Sequence, residues 1–133
     1  MATPNVEVVR RANAAFNAHD IDGWMETLAE GLEVVDHMGA VGETEVSGVD
    51  ALRRQVEEWF ELFPDFRAEL REVIDCGDHV VCETDWRGTA RASGLPYHQP
   101  AAELLTIRDG RISRVEMGFE DKAAALAAVP GPG

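Results

Sequence analysis

Positive charge is scarce in this sequence. Its 12 Lys and Arg residues face 25 Asp and Glu, for a formal net charge of −13 across 133 residues. That balance argues against nucleic-acid partners and anionic membrane surfaces, both of which attract basic patches. Cysteine is scarce too: Cys76 falls in the turn signal DCGD and Cys82 in the segment after it, so neither a disulfide nor a zinc knuckle is expected. There is no HExxH and no close His-x-His pair, so no metal is expected, and no cofactor is expected either. No apolar run approaches a membrane span, and MATPNVEVVRR lacks the charged-then-apolar order of a signal peptide. The expectation is a cytoplasmic protein with no membrane and no nucleic-acid partner.

What is present is an ordinary globular composition, 45% hydrophobic, of a length suited to one domain over 1–133 with a frayed tail at 129–133. Thr3-Pro4 reads as a helix start, and Val6, Val9, Asn13 and Phe16 mark one side of the helix that follows. Asp20 caps a shorter second helix carrying Ile21, Trp24, Met25 and Leu28, stopped by Gly31. A strand follows from Leu32, and then MGAVGETEVSG, glycine-rich and poor in core residues, reads as a loop or lid. Asp50 starts a third helix through Leu52, Val56, Trp59, Phe60 and Phe63, ended by Pro64. The period then becomes extended, with strands at about 66–74, 79–90, 97–108 and 111–120 and a last half-helix in DKAAALAAV. Three helices and an antiparallel meander predict an α+β fold, a curved sheet wrapped by the N-terminal helices around a cone-shaped cavity.

The stretch LEVVDHMGA, 32–40, raises a question within that frame. Leu32 and Val34 alternate toward a core, and the next residue on their face is Asp36, with His37 on the opposite one. A carboxylate on an apolar face is costly unless it is paired, hydrogen-bonded or shifted toward its neutral form. One reading makes Asp36 a base facing a dry cavity; the other makes it a cap accepting from Met38 or Gly39. Phe16 and Trp24 sit at helical spacing that suits a core, and both are also candidate substrate contacts together with His37. His98, in GLPYHQP, starts a strand near the expected cavity mouth and is a candidate proton carrier.

Three stretches, VEVVRRANAAFNAHDIDGW, FRAELREVIDCGDHVV and ELLTIRDGRISRVEMGFEDKAAAL, resemble the SnoaL-like branch of the nuclear transport factor 2-like superfamily. The resemblance implies the helix-wrapped cone, also called cystatin-like, and a homodimer. Compared with ketosteroid isomerase, it puts the general-base Asp on Asp36, the oxyanion-binding acid on Glu103, and Ala12 where that enzyme has a Tyr. Glu103 shares its strand face with Ala101, Leu105 and Ile107, an apolar setting for an acid. The charged groups of limonene epoxide hydrolase fall on Thr84, Trp86 and Met117, which sets that reaction aside. Scytalone dehydratase works with paired histidines and tyrosines, and with Tyr97 the only tyrosine here at most a fragment of that arrangement is expected. Trp86, Met117 and Phe119 occupy strand positions where relatives carry pocket groups, making them candidate substrate contacts.

The expectation is a cofactor-independent acid–base enzyme on a small apolar carbonyl or polyketide-type substrate, a cyclase or isomerase, with Asp36, Glu103 and His98 as catalytic candidates. Its alternatives are a dehydratase or pyran-forming cyclase of the same fold, or a non-catalytic small-ligand-binding dimeric domain.

Overall fold

A computed structural model describes residues 3–37 and 45–130. Thr3 accepts a hydrogen bond from the Val6 amide and Pro4 fixes the first turn of α1 (Pro4–Asn17), which buries Val6, Val8, Val9, Ala12 and Phe16. Asp20 caps α2 (Ile21–Met25), accepting from the Gly23 amide at 3.0 Å. The chain then enters β1 (Leu28–Asp36), so Leu28 belongs to a strand rather than to the second helix. Gly31 does not stop a helix; it lies in β1 where the register against its neighbour shifts between Leu28 and Glu33. The tail of the stretch expected to be a loop forms β2 (Glu45–Gly48), and residues 38–44 of that stretch lie outside the described residues. Helix α3 (Val49–Leu62) follows directly, one residue earlier than expected, and Pro64 lies just beyond its end.

The meander is formed by β3 (Arg67–Asp75), β4 (His79–Thr89), β5 (Pro96–Arg108) and β6 (Arg111–Phe119), and α4 (Lys122–Ala127) completes the fold. The sheet order is β2-β1-β6-β5-β4-β3, with β1 running parallel to β6 and the other neighbours antiparallel. One face of the sheet carries Val80, Cys82, Leu105, Ile107, Ile112 and Val115 against α1 and α3. The other buries Val81, Ala102, Leu104 and Ala125, the last brought by α4. Asn17 ties the end of α1 to the start of β3 by two bonds, donating to the Ala68 carbonyl at 2.9 Å and accepting from its amide at 2.8 Å. No helix among the described residues is long and apolar enough to cross a membrane.

Candidate active site

Helices α1 and α3 do not fill the concave face. They leave a cavity of about 1150 Å³ against β4, β5 and β6, walled largely by apolar side chains. Strand alternation decides which residues enter it. On β4 the inward set is Cys82, Thr84 and Trp86, and on β5 it is Gln99, Ala101, Glu103 and Leu105. Glu103 stands opposite Cys82, deep in the sheet. Burial pushes its carboxyl up to about 7, with no cation near enough to oppose the shift. The neighbouring Thr84 hydroxyl pulls weakly the other way, yet Thr84 Oγ1 is buried and makes no hydrogen bond of ordinary geometry among the described residues. Burial also drives the Cys82 thiol far up, helped by the Glu103 charge, so Cys82 is an inert wall.

Asp36 also lines the cavity, at the end of β1 where Met117 of β6 and Glu45 of β2 are its register partners. The remaining wall is aromatic. Phe66 and Trp86 are stacked with centroids 5.6 Å apart and planes 16° apart. Phe16 meets Trp24 edge-on at 5.8 Å and Trp86 at 5.5 Å, and Trp59 closes the group against Phe66 at 5.6 Å. Nearer the rim Tyr97 packs on Phe63 at 5.2 Å.

Of the residues singled out from sequence, the structure brings Asp36, Glu103, Trp86, Met117, Phe119, Phe16 and Trp24 to this one cavity. It does not bring His98 or His37 there. His98 is turned to the outer face, where its Nε2 lies 2.9 Å from the Asp85 carboxylate that Arg71 Nε also meets at 3.0 Å. The His98 bond, with Arg71 and Arg87 behind it, holds the Asp85 carboxyl below its usual range against the cost of desolvation. His37 is likewise outside, with Nε2 3.1 Å from Glu116 Oε1 and its ring 5.0 Å from that of Phe119. Phe119 therefore has one side on the cavity and another against the core beneath α4. Thr84, Trp59 and Glu120 are wall residues that sequence reasoning missed. The signal for Thr84 was available, since it shares the period-two face of Cys82 and Trp86. Among the described residues no group of three or more His, Cys, Asp or Glu is placed to hold a metal ion.

A family model, the SnoaL-like domain, matches residues 9–115. A solved protein described as a SnoaL-like polyketide cyclase, from a Jannaschia species, superposes with TM-score 0.72 at 26% identity, covering 98% of this chain and 94% of its own. TerC, solved with polyporic acid, gives TM-score 0.72 at 26% identity over 94% and 97% of the two chains. A protein of ketosteroid-isomerase-like fold from Catenulispora acidiphila, solved with trimethylamine, gives TM-score 0.70 at 22% identity over 91% and 90%. No curated protein matches the sequence.

Proposed function

This chain belongs to the SnoaL-like domain family, with the nuclear transport factor 2-like, cystatin-like α+β cone, and from that premise we propose that it is a cofactor-independent acid–base enzyme. Its substrate is a small, largely apolar carbonyl compound of polyketide type, and its reaction is a ring closure or isomerisation through an enolate. The observation that carries this reading is Glu103, held near pKa 7 in the wall of a cavity that Asp36 also lines. At neutral pH such a carboxyl exists in both forms, so it can donate to a carbonyl oxygen and recover the proton afterwards. Asp36 takes the proton from carbon, and Glu103 in its acid form faces the oxygen where charge develops. Trp86, Met117, Phe119, Phe16 and Trp24 exclude water and suit a flat substrate. His98 and His37 have no part in the proton transfers. Dehydration and pyran formation use the same transfers and are the alternative reactions of this site.

One observation favours a second reading, a non-catalytic small-ligand-binding domain. Ala12 lines the cavity where the ketosteroid-isomerase comparison places a tyrosine, so an oxyanion has one donor fewer. Under either reading the protein is a cytoplasmic homodimer of single-domain chains, paired through the outer face of the sheet.

Hydrogen–deuterium exchange separates the two. Incubated in D2O with a panel of cyclic diketones and followed by proton NMR, the wild-type protein accelerates loss of the acidic C–H signal. Asp36→Asn and Glu103→Gln each slow that exchange about a hundredfold. Exchange no faster than the buffer background favours the binding domain, and accelerated exchange that neither variant slows overturns the roles given to Asp36 and Glu103.

A further inference from the structure

Val6, Val9, Asn13 and Phe16 share one side of α1, and the three apolar members are buried there. Asn13 stays within that arc, about 40° from Val9 around the helix axis. It is half-buried and, like Ala12, lines the cavity. All the asparagines of this chain are on α1, and their uses differ. Asn5 donates to the Gly77 carbonyl at 2.8 Å, and Asn17 bonds both the carbonyl and the amide of Ala68. These two fasten the helix to the sheet. Asn13 makes no hydrogen bond to any described residue. Asparagine is also a poor helix former, whereas its neighbours Ala12, Ala14 and Ala15 are of the best type. An unbonded asparagine inside a helix gives up stability and gains nothing within the fold. Such a breach of local preference is expected where a side chain serves a ligand.

The anchors at the two ends of α1 fix the depth of Asn13. Ala68, held by Asn17, pairs with Trp86, and the Gly77 end held by Asn5 lies beyond the closed end of the cavity. Asn13 is four residues from Asn17, about 6 Å toward that closed end. Thr84 is two residues from Trp86, about 7 Å in the same direction. Asn13 and Thr84 therefore share a depth. Thr84 pairs with Ala101, Glu103 is the next inward residue on β5, and its carboxyl is close enough to the Thr84 hydroxyl to be influenced by it. The amide of Asn13 on the helix wall and the carboxyl of Glu103 on the strand wall meet at about one level.

We propose that Asn13 is the second hydrogen-bond donor to the substrate's carbonyl oxygen, its amide N–H reaching from the helix wall to the oxygen that Glu103 meets from the strand wall. The inference rests on reading the cavity as an acid–base site for a carbonyl compound. Asn13 then supplies the donor that Ala12 lacks. A carboxamide has two N–H donors and carries no charge, so it stabilises the developing oxyanion without competing for the proton. The reacting carbonyl lies toward the closed end of the cavity, and the body of the substrate extends past Trp86 toward Tyr97 at the rim.

Two probes of one shape, 1-indanone and its hydrocarbon counterpart indane, are titrated into 15N-labelled protein and followed by proton–nitrogen NMR. The Asn13 side-chain amide signals are identified by their absence from Asn13→Ala. Indanone moves an Asn13 amide proton downfield and binds wild type about fivefold more tightly than Asn13→Ala. Indane binds both equally, which also shows that the variant is folded. Asn13→Asp, of nearly the same shape but without the N–H donors, loses at least as much indanone affinity as Asn13→Ala. In deuterium exchange of cyclic diketones, Asn13→Ala slows loss of the C–H signal about a hundredfold, more than it weakens ketone binding, because the bond strengthens as charge builds on the oxygen. If Asn13→Ala binds indanone as wild type does, or the amide protons stay in place, Asn13 is not a donor to the ligand. If wild type exchanges no faster than buffer while indanone affinity still depends on Asn13, the enzyme reading fails and the Asn13 contact stands. If neither probe binds, the cavity is not the ligand site and the assignment falls.

Discussion

Glu103 and Thr84 differ from most polar residues of a small domain in lacking compensation. A buried acid is ordinarily paired or saturated with donors; here desolvation outweighs the one hydroxyl nearby, and the proton is retained to about pH 7. The hydroxyl is itself buried with no hydrogen bond of ordinary geometry among the described residues, and a buried polar group poorly satisfied costs up to about 1–3 kcal/mol. Two consequences can be measured together. Carbon-detected NMR places the Glu103 titration near 7 in wild type. In Thr84→Val it moves further up, because the only group favouring the ionised form has gone. The same substitution leaves unfolding in urea at pH 5 within about 1 kcal/mol of wild type, since the Thr84 hydroxyl favours only the ionised form of Glu103, which is scarce there. Thr84→Ser keeps the wild-type titration. A Glu103 midpoint at the ordinary carboxylate value would mean that water reaches the group freely.

Elements show where local pattern is sufficient and where partners decide. Helix α1 is legible because its Thr3 cap, Pro4 and apolar stripe agree, and α3 because its apolar stripe runs up to Pro64, whereas its start at Gly48 has no capping side chain to mark it. β2 is not legible, because Glu45–Gly48 is a strand only by virtue of its register against Glu33–Asp36. The parallel pairing of β1 with β6 has no local signature either; it joins segments about eighty residues apart. The histidines were decidable from the sequence by parity. His98 is five positions from Glu103, an odd number, so a continuous strand turns them to opposite faces, and His37 differs from Asp36 by one. For His98 the position near the expected mouth and the strand alternation point opposite ways, and alternation decides; for His37 alternation alone already points away from the Asp36 face. Parity has its own exceptions, and Gly118 marks one. Between the pairs Ala102–Phe119 and Leu104–Glu116, β6 has one residue more than β5, and Gly118 takes that bulge with φ 85°. The extra residue brings Phe119 opposite Ala102, between the cavity and the core beneath α4. Gly118→Ala places a Cβ in the left-handed region and costs about 1–2 kcal/mol in urea unfolding. It also perturbs the Phe119 ring, visible in its NMR shifts; an unchanged midpoint would show that β6 accommodates the bulge without strain.

Across the whole molecule, charge makes stability depend on pH in an uncommon direction. Glu103 has a folded-state pKa near 7 against an ordinary 4.5, so between those values the folded protein binds more protons than the unfolded chain. Its penalty is absent at low pH, grows as pH rises through that window, and is complete above it, at most about 3 kcal/mol. The −13 charge acts in the same sense, because repulsion among carboxylates eases as pH falls toward the isoelectric point near 4.5. Opposing both are Asp65, Glu69 and Asp85. The Thr89 amide and hydroxyl lower the Asp65 carboxyl, Arg87 and Arg67 lower Glu69, and His98 and Arg71 lower Asp85. Their contribution is present above the ordinary carboxylate value and is lost only as pH falls through their depressed ones. The windows do not overlap, so unfolding free energy is greatest at mildly acidic pH, near 5, and declines toward 8, where many proteins remain on a plateau. Urea unfolding at closely spaced pH values traces the profile, and Glu103→Gln removes most of the decline while leaving the acid limb in place. A wild-type profile that stays level from pH 5 to 8 would mean that the carboxyl in the cone is not held protonated by the fold, and the acid proposed for catalysis would lose its physical basis.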